Sequence, residues 1–262
     1  MSSIEAIKVR VESALKEAGC FFTYSGFAQD TAVKKGHANF VTGIDYQVQN
    51  YLIKQLNEII PGSNIITEET ERNEFCLARP TWILDPVDGT TNLLHGYGHS
   101  AVSLALFMDG KALAGWIYNP RSNEMFTGEA GNGACLNGEK IKVSSNSLLE
   151  DCLISFGTTP YDRKRAKETF SIIEHIFMDC QEIRRSGSAA LDLAYVACGR
   201  TDGFFELCLQ PWDFAAGLLI LEEAGGKLTD WEGKRPDSIS QSGILATNGL
   251  IHDLLFRYIT PN

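Results

Sequence analysis

The stretch WILDPVDGTTN, Trp82 to Asn92, constrains this chain more than any other. An apolar run ends in two aspartates three positions apart, followed by a glycine and two threonines. Carboxylates beside sequence apolar enough to enter a core are costly to desolvate unless something positive meets them. Two other acidic groups are placed in the same way. Glu68 and Glu69 follow Ile65-Ile66-Thr67, and Asp213 follows Pro211-Trp212 at the head of the apolar segment Phe214 to Ala224. Singly they read as a solvated pair, a turn residue before glycine and a helix N-cap. Together they predict one site built where strands end and helices begin.

No matching set of lysines or arginines lies nearby in sequence, so a metal ion is the expected counter-charge. The donors are all hard oxygens with no His or Cys companion, which favours magnesium over zinc. Pro86 fixes the backbone after Asp85, so that Asp85, Asp88 and the Val87 carbonyl can point into one cavity. If Gly89, Thr90 and Thr91 open a helix, their amides make a cradle suited to phosphate. Paired magnesium ions clamp a phosphoryl group and activate water, and the predicted chemistry is phosphate ester hydrolysis.

Charge and composition narrow the partners. The net charge is −10 and the basic residues are scattered, which argues against a nucleic-acid surface. Seven cysteines include no CxxC pair and no zinc-like spacing, and read as reduced thiols. The segment MSSIEAIKVRVESALKEAG lacks the apolar core of a signal peptide, and no apolar run approaches the roughly 18 residues of a membrane span. A cytoplasmic location without a membrane partner is expected.

Helical spacing links Ile4, Ile7, Val11, Ala14, Leu15 and Ala18, and again Val48, Leu52, Leu56 and Ile59, before Pro61-Gly62. Short apolar runs follow: 65–66, 82–84, then 101–107 and 112–118 joined by Asp109-Gly110, a hairpin turn pair. Further strands are expected at 125–127, 141–143, 153–156, 203–207, 227–229 and 244–247, and helices at about 163–178, 187–198, 213–224 and 250–258. Strands gather first and alternate with helices later, which predicts an α+β or mixed α/β fold. The polar stretch Ser144 to Asp151 is the best internal boundary. It divides a single domain, 1–262, into sub-domains of about 1–147 and 148–262 that share a cleft.

These residues resemble the inositol monophosphatases, within the lithium-sensitive, magnesium-dependent phosphatases of sugar phosphates and nucleotides. WILDPVDGTTN is similar to that family's first signature and PWDFAAGLLILEEAGG, Pro211 to Gly226, to its second. The resemblance runs from Lys34 to about Gly249 and implies a layered α-β-α-β-α sandwich. It implies that Glu68, Asp85 and the Val87 carbonyl hold a first Mg2+, and that Asp85, Asp88 and Asp213 hold a second. A third, weaker ion near Glu68 and Glu69 is implied for some members. Glu68 and Thr90 would orient the attacking water, with Asp88 in the catalytic set, while Gly89, Thr90 and Thr91 would take the phosphate. Ser188, Ala189 and Glu206 match the segment that contacts the sugar ring, and Lys34 and Asp45 match outer supporting positions. The implied substrate is myo-inositol monophosphate or a close polyol phosphate. Fructose 1,6-bisphosphate, histidinol phosphate and 3′-phosphoadenosine 5′-phosphate are alternatives, and a regulatory protein without turnover is another. A homodimer and lithium inhibition are implied by the resemblance alone. Thr67, where many members have glycine, and Leu93, where an aromatic residue is frequent, depart from the pattern without replacing a ligand.

Other features carry less. His95 and His99 have i, i+4 spacing but no HExxH context, and the glycine-rich Gly128 to Gly138 matches no phosphate loop. Arg184-Arg185 reads as a strand edge, a subunit contact or a receiver for a second phosphate. Cys198 and Cys208 read as small buried hydrophobes.

Overall fold

The computed structural model describes residues 4–23, 31–36, 39–70 and 73–259. Helix α1 (Ile4–Gly19) is followed by a hairpin of β1 (Val33–Gly36) and β2 (Asn39–Val41), and by α2 (Gly43–Ile59). A seven-stranded sheet then runs in the order β3 (Asn64–Thr67), β4 (Thr81–Asp88), β5 (Ala101–Met108), β6 (Lys111–Asn119), β7 (Glu124–Glu129), β8 (Gly133–Leu136), β9 (Glu139–Lys140). Only the β3–β4 pair in it is parallel. The five-residue α3 (Thr90–Leu94) leaves the end of β4. The second sheet is mixed. Its strands β10 (Leu153–Phe156), β11 (Glu182–Arg184), β12 (Gly203–Leu209), β13 (Lys227–Thr229) and β14 (Ser242–Thr247) lie in the order β11-β10-β12-β14-β13. Helices α4 (Ala166–Asp179), α5 (Ala189–Ala197), α6 (Pro211–Glu223) and α7 (His252–Ile259) complete the described residues.

Three apolar cores separate five layers. Trp82, Leu84, Leu104 and Trp116 point from the first sheet onto α1 and α2. Ile83, Ile117 and Phe126, one residue out of phase, point to the other face and meet α5 and α6, which also pack on Phe204 and Ile244 of the second sheet. Phe205, Leu207 and Leu245 face outward again, onto α4 and α7. The period-2 alternation of a strand sends successive apolar side chains into different cores, so both sheets are covered on both faces. The α-β-α-β-α layering expected from the family resemblance is the observed one.

One expectation needs correction. Residues 141–143 are not a strand: pairing stops at Lys140, and the Val143 N–H donates to the Ala224 carbonyl at the end of α6 (3.1 Å). The apolar run is real, but its backbone is satisfied from two sides: one bond past the last pair, the Ile141 N–H donates to the Ala134 carbonyl of β8 (3.0 Å), and Val143 then turns to the helix end. Helix α2 begins at Gly43, before the apolar repeat starts, because Thr42 caps it. The Thr42 hydroxyl accepts the Ile44 N–H (3.1 Å), and Asp45 accepts the Thr42 N–H (2.8 Å), a reciprocal capping box. Ser144 to Asp151 links the two sheets as a pinned segment: the Ser144 hydroxyl and Asn146 amide both donate to Asp202.

Candidate active site

Two bulges shape the cleft. On β4, Asp85 pairs with Ser103 but Asp88 with Ala101, so three steps on one strand oppose two on the other. In regular pleat, residues three apart point to opposite faces; the extra residue at Pro86-Val87 re-phases the strand and turns both aspartates to one side. The Val87 N–H donates to Asp85 Oδ1 (2.9 Å) and fixes that turn. On β12 the shift between Glu206, paired with Ile244, and Leu209, paired with Ser242, repeats the device in the second sheet.

Between the bulges lies a cleft of about 160 Å³. Its walls bring together Glu68 after β3, Asp85, Val87 and Asp88 on β4, Gly89, Thr90 and Thr91 at the start of α3, Ser188 and Ala189 at the start of α5, Glu206 on β12 and Asp213 in the first turn of α6. Glu69 and Lys34 are not among the described residues on these walls; Lys34 is exposed on β1. Asp45 stands one contact behind: Thr90 Oγ1 lies 3.1 Å from Asp45 Oδ1 and 3.1 Å from the Val87 carbonyl, so its single proton goes to one of them. The cleft also holds residues the sequence reading had not placed there: Gly157, Pro160, Tyr161, Arg185, Asp192 and Leu209. Of the readings open for Arg184-Arg185, strand edge, subunit contact or receiver for a second phosphate, the strand edge fits Arg184 on the edge strand β11, whereas Arg185 lines the cleft and its guanidinium donates to Thr158 Oγ1 (3.2 Å). Asp192 had a weak signal, four residues after the Ser188 cap on the same helix face.

Backbone turns set several of these side chains. Gly89 has φ +86°, and a Cβ there would stand 3.0 Å from the His99 carbonyl and 3.2 Å from the Gly187 carbonyl, so glycine alone lets β4 turn into α3. The Ser188 hydroxyl accepts the Leu191 N–H (3.3 Å) as the cap of α5 and donates to Asp88 Oδ2 (2.5 Å), which also accepts the Ala190 N–H (2.8 Å). Ser188, expected to touch substrate, is thus engaged in holding Asp88. The Asp192 carboxylate accepts from Ser186 (2.6 Å) and steadies the strap that carries Ser188. Asp213 Oδ2 accepts the Gln210 N–H (2.7 Å), a cap on α6. Glu206 Oε1 accepts the Thr159 N–H (2.7 Å).

The electrostatics are lopsided. Six carboxylates, Glu68, Asp85, Asp88, Asp192, Glu206 and Asp213, face the single guanidinium of Arg185 among the described wall residues. Burial, and then the charges of Glu68, Asp88 and Asp213, hold Asp85 well above the ordinary carboxylate range. Burial with the charges of Glu68 and Asp88 does the same to Asp213. Asp88 is pushed up to about 6 by burial, against its bonds from Ser188 and Ala190. Burial lifts Glu206 to about 7, and Asp45, outside the wall, to about 6. Among the described residues no three of His, Cys, Asp and Glu converge into a ready-made metal cage. Uncompensated carboxylates repel, and the hard-oxygen donor set and its excess charge fit a divalent cation that draws them together. His95 and His99 do not cooperate: His95 ends α3, and His99 is packed edge-on against Tyr195. All seven cysteines are free thiols, and burial raises the pKa of Cys198 and Cys208.

The chain belongs to the inositol monophosphatase family, whose model matches residues 4–261. It is 42% identical over 203 residues to the Nus factor SuhB of Escherichia coli strain K12, covering 77% of this chain and 76% of that protein. It is 36% identical over 260 residues to the inositol-1-monophosphatase of Mesorhizobium japonicum, covering 99% and 97%. Among solved structures, the extragenic suppressor protein suhB from Bartonella henselae superposes with a TM-score of 0.91 at 37% identity, covering 98% of this chain and 99% of that one. An IMPase/NADP phosphatase complexed with Mg2+ and phosphate superposes at 0.89 with 25% identity, covering 99% and 97%.

Proposed function

We propose that this chain is a magnesium-dependent phosphomonoesterase that releases inorganic phosphate from myo-inositol monophosphate or a close polyol phosphate. The observation that carries the reading is the bulged, carboxylate-crowded cleft, with six acids against one guanidinium. Glu68, Asp85 and the Val87 carbonyl would hold one ion, Asp85, Asp88 and Asp213 a second, and Glu68 with Glu69 a weaker third. Bound there, magnesium supplies an activated water and neutralises the phosphoryl oxygens.

The chain's own groups do the rest. The backbone amides of Gly89, Thr90 and Thr91 hold phosphoryl oxygens, since N–H groups in the first turn of a helix have no intrahelical acceptor. Thr90 spends its proton on Asp45 or on the Val87 carbonyl, so its hydroxyl oxygen accepts from the attacking water that Glu68 orients. Asp88 is held in place by Ser188 and Ala190. On the alcohol side, Ala189 packs against the ring and Glu206, whose second oxygen is not used by Thr159, accepts from hydroxyls. Lys34 is kept only as outer electrostatic support. The homodimer, lithium inhibition and cytoplasmic location belong to the same reading, as does the division into two sub-domains around the cleft.

Phosphate release with and without magnesium tests it, with inositol 1-phosphate beside fructose 1,6-bisphosphate, histidinol phosphate and 3′-phosphoadenosine 5′-phosphate. Preference for the first is expected; preference for another ester overturns the polyol assignment but not the metal site. A second reading, a regulatory protein without turnover, is favoured by the name of the Escherichia coli relative, a Nus factor. Failure to cleave any ester, with magnesium still raising thermal stability, would establish it.

A further inference from the structure

A second cavity, of about 530 Å³, opens beside the cleft and shares Glu68, Tyr161 and Asp213 with it. Beyond those shared walls, the hydrolysis just described makes no use of it. Tyr161 is the partition, and its place is set by the site itself. Glu206 takes the Thr159 N–H and holds Thr159 at φ +41°, a left-handed backbone uncommon for a branched residue. That turn delivers Tyr161 to the wall between the two cavities. Tyr161 is 62% exposed, and its phenol is a hydrogen-bond donor and acceptor at neutral pH.

The remaining walls say what would fit. Trp212 and the Tyr161 ring supply aromatic faces, and Gln210, Gln241 and Asp162 supply amide and carboxylate groups. Arg165 is the one cation there among the described residues. Its fork is committed, with Nε and Nη2 donating to Glu168 (3.0 and 2.9 Å) and Nη1 to the Leu207 carbonyl (3.0 Å). A second phosphate would find no uncommitted cation among the described residues of these walls. A neutral ring bearing hydroxyls would find aromatic faces for its apolar side and mixed donors and acceptors for its edge.

We propose that this second cavity is a subsite for a sugar ring joined to the phosphorylated ring, so that the chain prefers the monophosphate of a two-ring alcohol over that of one ring. The inference rests on the phosphomonoesterase reading and extends it to the substrate class. Trehalose 6-phosphate and glucose 6-phosphate present the same phosphorylated ring with and without a second sugar, and 2′-AMP presents a base instead. The two-ring sugar ester is expected to have a kcat/KM at least about tenfold above the one-ring ester, a ratio within reach of a few added contacts. Gln241 is exposed and lines only the second cavity. Gln241→Trp, which fills it, is expected to bring the ratio to about one with glucose 6-phosphate turnover unchanged. Equal kcat/KM for the two sugar esters in the wild type overturns the proposal, as does a ratio untouched by Gln241→Trp, or 2′-AMP as the best of the three. If none is cleaved, the phosphatase reading fails first. Calorimetric affinities of the two sugar esters in magnesium then decide the subsite, and equal affinities overturn it.

Discussion

Asp88 concentrates the physics of the site in one side chain. It is buried, bonded by Ser188 and Ala190, and still held up at about 6. Asp88→Asn keeps the shape and removes a charge, and is expected to lower kcat by at least about 100-fold, the scale on which loss of a preorganised charge acts. Circular dichroism and melting temperature should stay near those of the wild type. Turnover within threefold of wild type would remove Asp88 from the metal set. Gly157 makes the complementary case, since a Cβ there would lie 1.8 Å from Glu206 Oε2. Gly157→Ala is expected to cost roughly 1–3 kcal/mol by overpacking and to raise KM for polyol esters more than it lowers kcat. An unchanged KM would separate Glu206 from substrate binding.

Elements carry these residues into place, and their ends matter more than their middles. Helix α2 starts at the Thr42–Asp45 capping box, and Asp45 is also one of the two acceptors within reach of Thr90. Thr42→Ala is therefore expected to cost about 1–2 kcal/mol in urea unfolding, as for other lost caps, and to slow turnover as well. A cap that served α2 alone would change stability and leave turnover where it was. The apolar repeats of α1, α2, α4 and α7 were legible because a helix with one buried face repeats every 3.6 residues, whereas α5 and α6, buried nearly all round between the two sheets, show as continuous apolar runs. The bulges on β4 and β12 were not. A bulge is a relation between two strands, and nothing in DPVD states that Asp85 faces Ser103 while Asp88 faces Ala101. The backbone of 141–143 misled for the same reason, since its partners are split between Ala134 of β8 and the end of α6.

At the scale of the whole molecule, the magnesium site proposed above predicts that metal adds stability, because the cleft holds an excess of acid. Magnesium at 100 times its dissociation constant is expected to add about 2.7 kcal/mol, or roughly 5–10 °C in Tm for a chain of this size. EDTA should reverse the shift, and sodium chloride of equal ionic strength should not reproduce it. A pH-sensitive feature also lies outside the cleft walls. His252 is buried, with the hydroxyls of Thr229 and Thr247 each 3.0 Å from a ring nitrogen, and burial lowers it to about 4. Between pH 6.5 and 4 the unfolded chain binds a proton that the folded chain refuses, so this residue withdraws stability as pH falls through that window. The raised carboxylates of the cleft act in the opposite sense, because their folded form takes up protons first. The difference in stability between wild type and His252→Leu isolates the histidine. It should shrink, or turn in favour of the variant, as pH falls from 6.5 to 4; a difference independent of pH would show that His252 titrates normally.

The sequence alone determined the composition of the layers and the acidic character of the site. Apolar periods depend on neighbours a few residues away, and the carboxylates declared themselves by standing where apolar runs stop. Tertiary structure decided which acids share one cavity and that Ser188 serves Asp88. It also brought Arg185 inside while Arg184 stayed on the edge, and placed Tyr161 between two cavities. Those outcomes depend on strand register, on bulges and on turns from both halves of the chain meeting between two sheets. Such contacts join residues about 100 positions apart, as Ser188 and Asp88 are, and local pattern does not encode them.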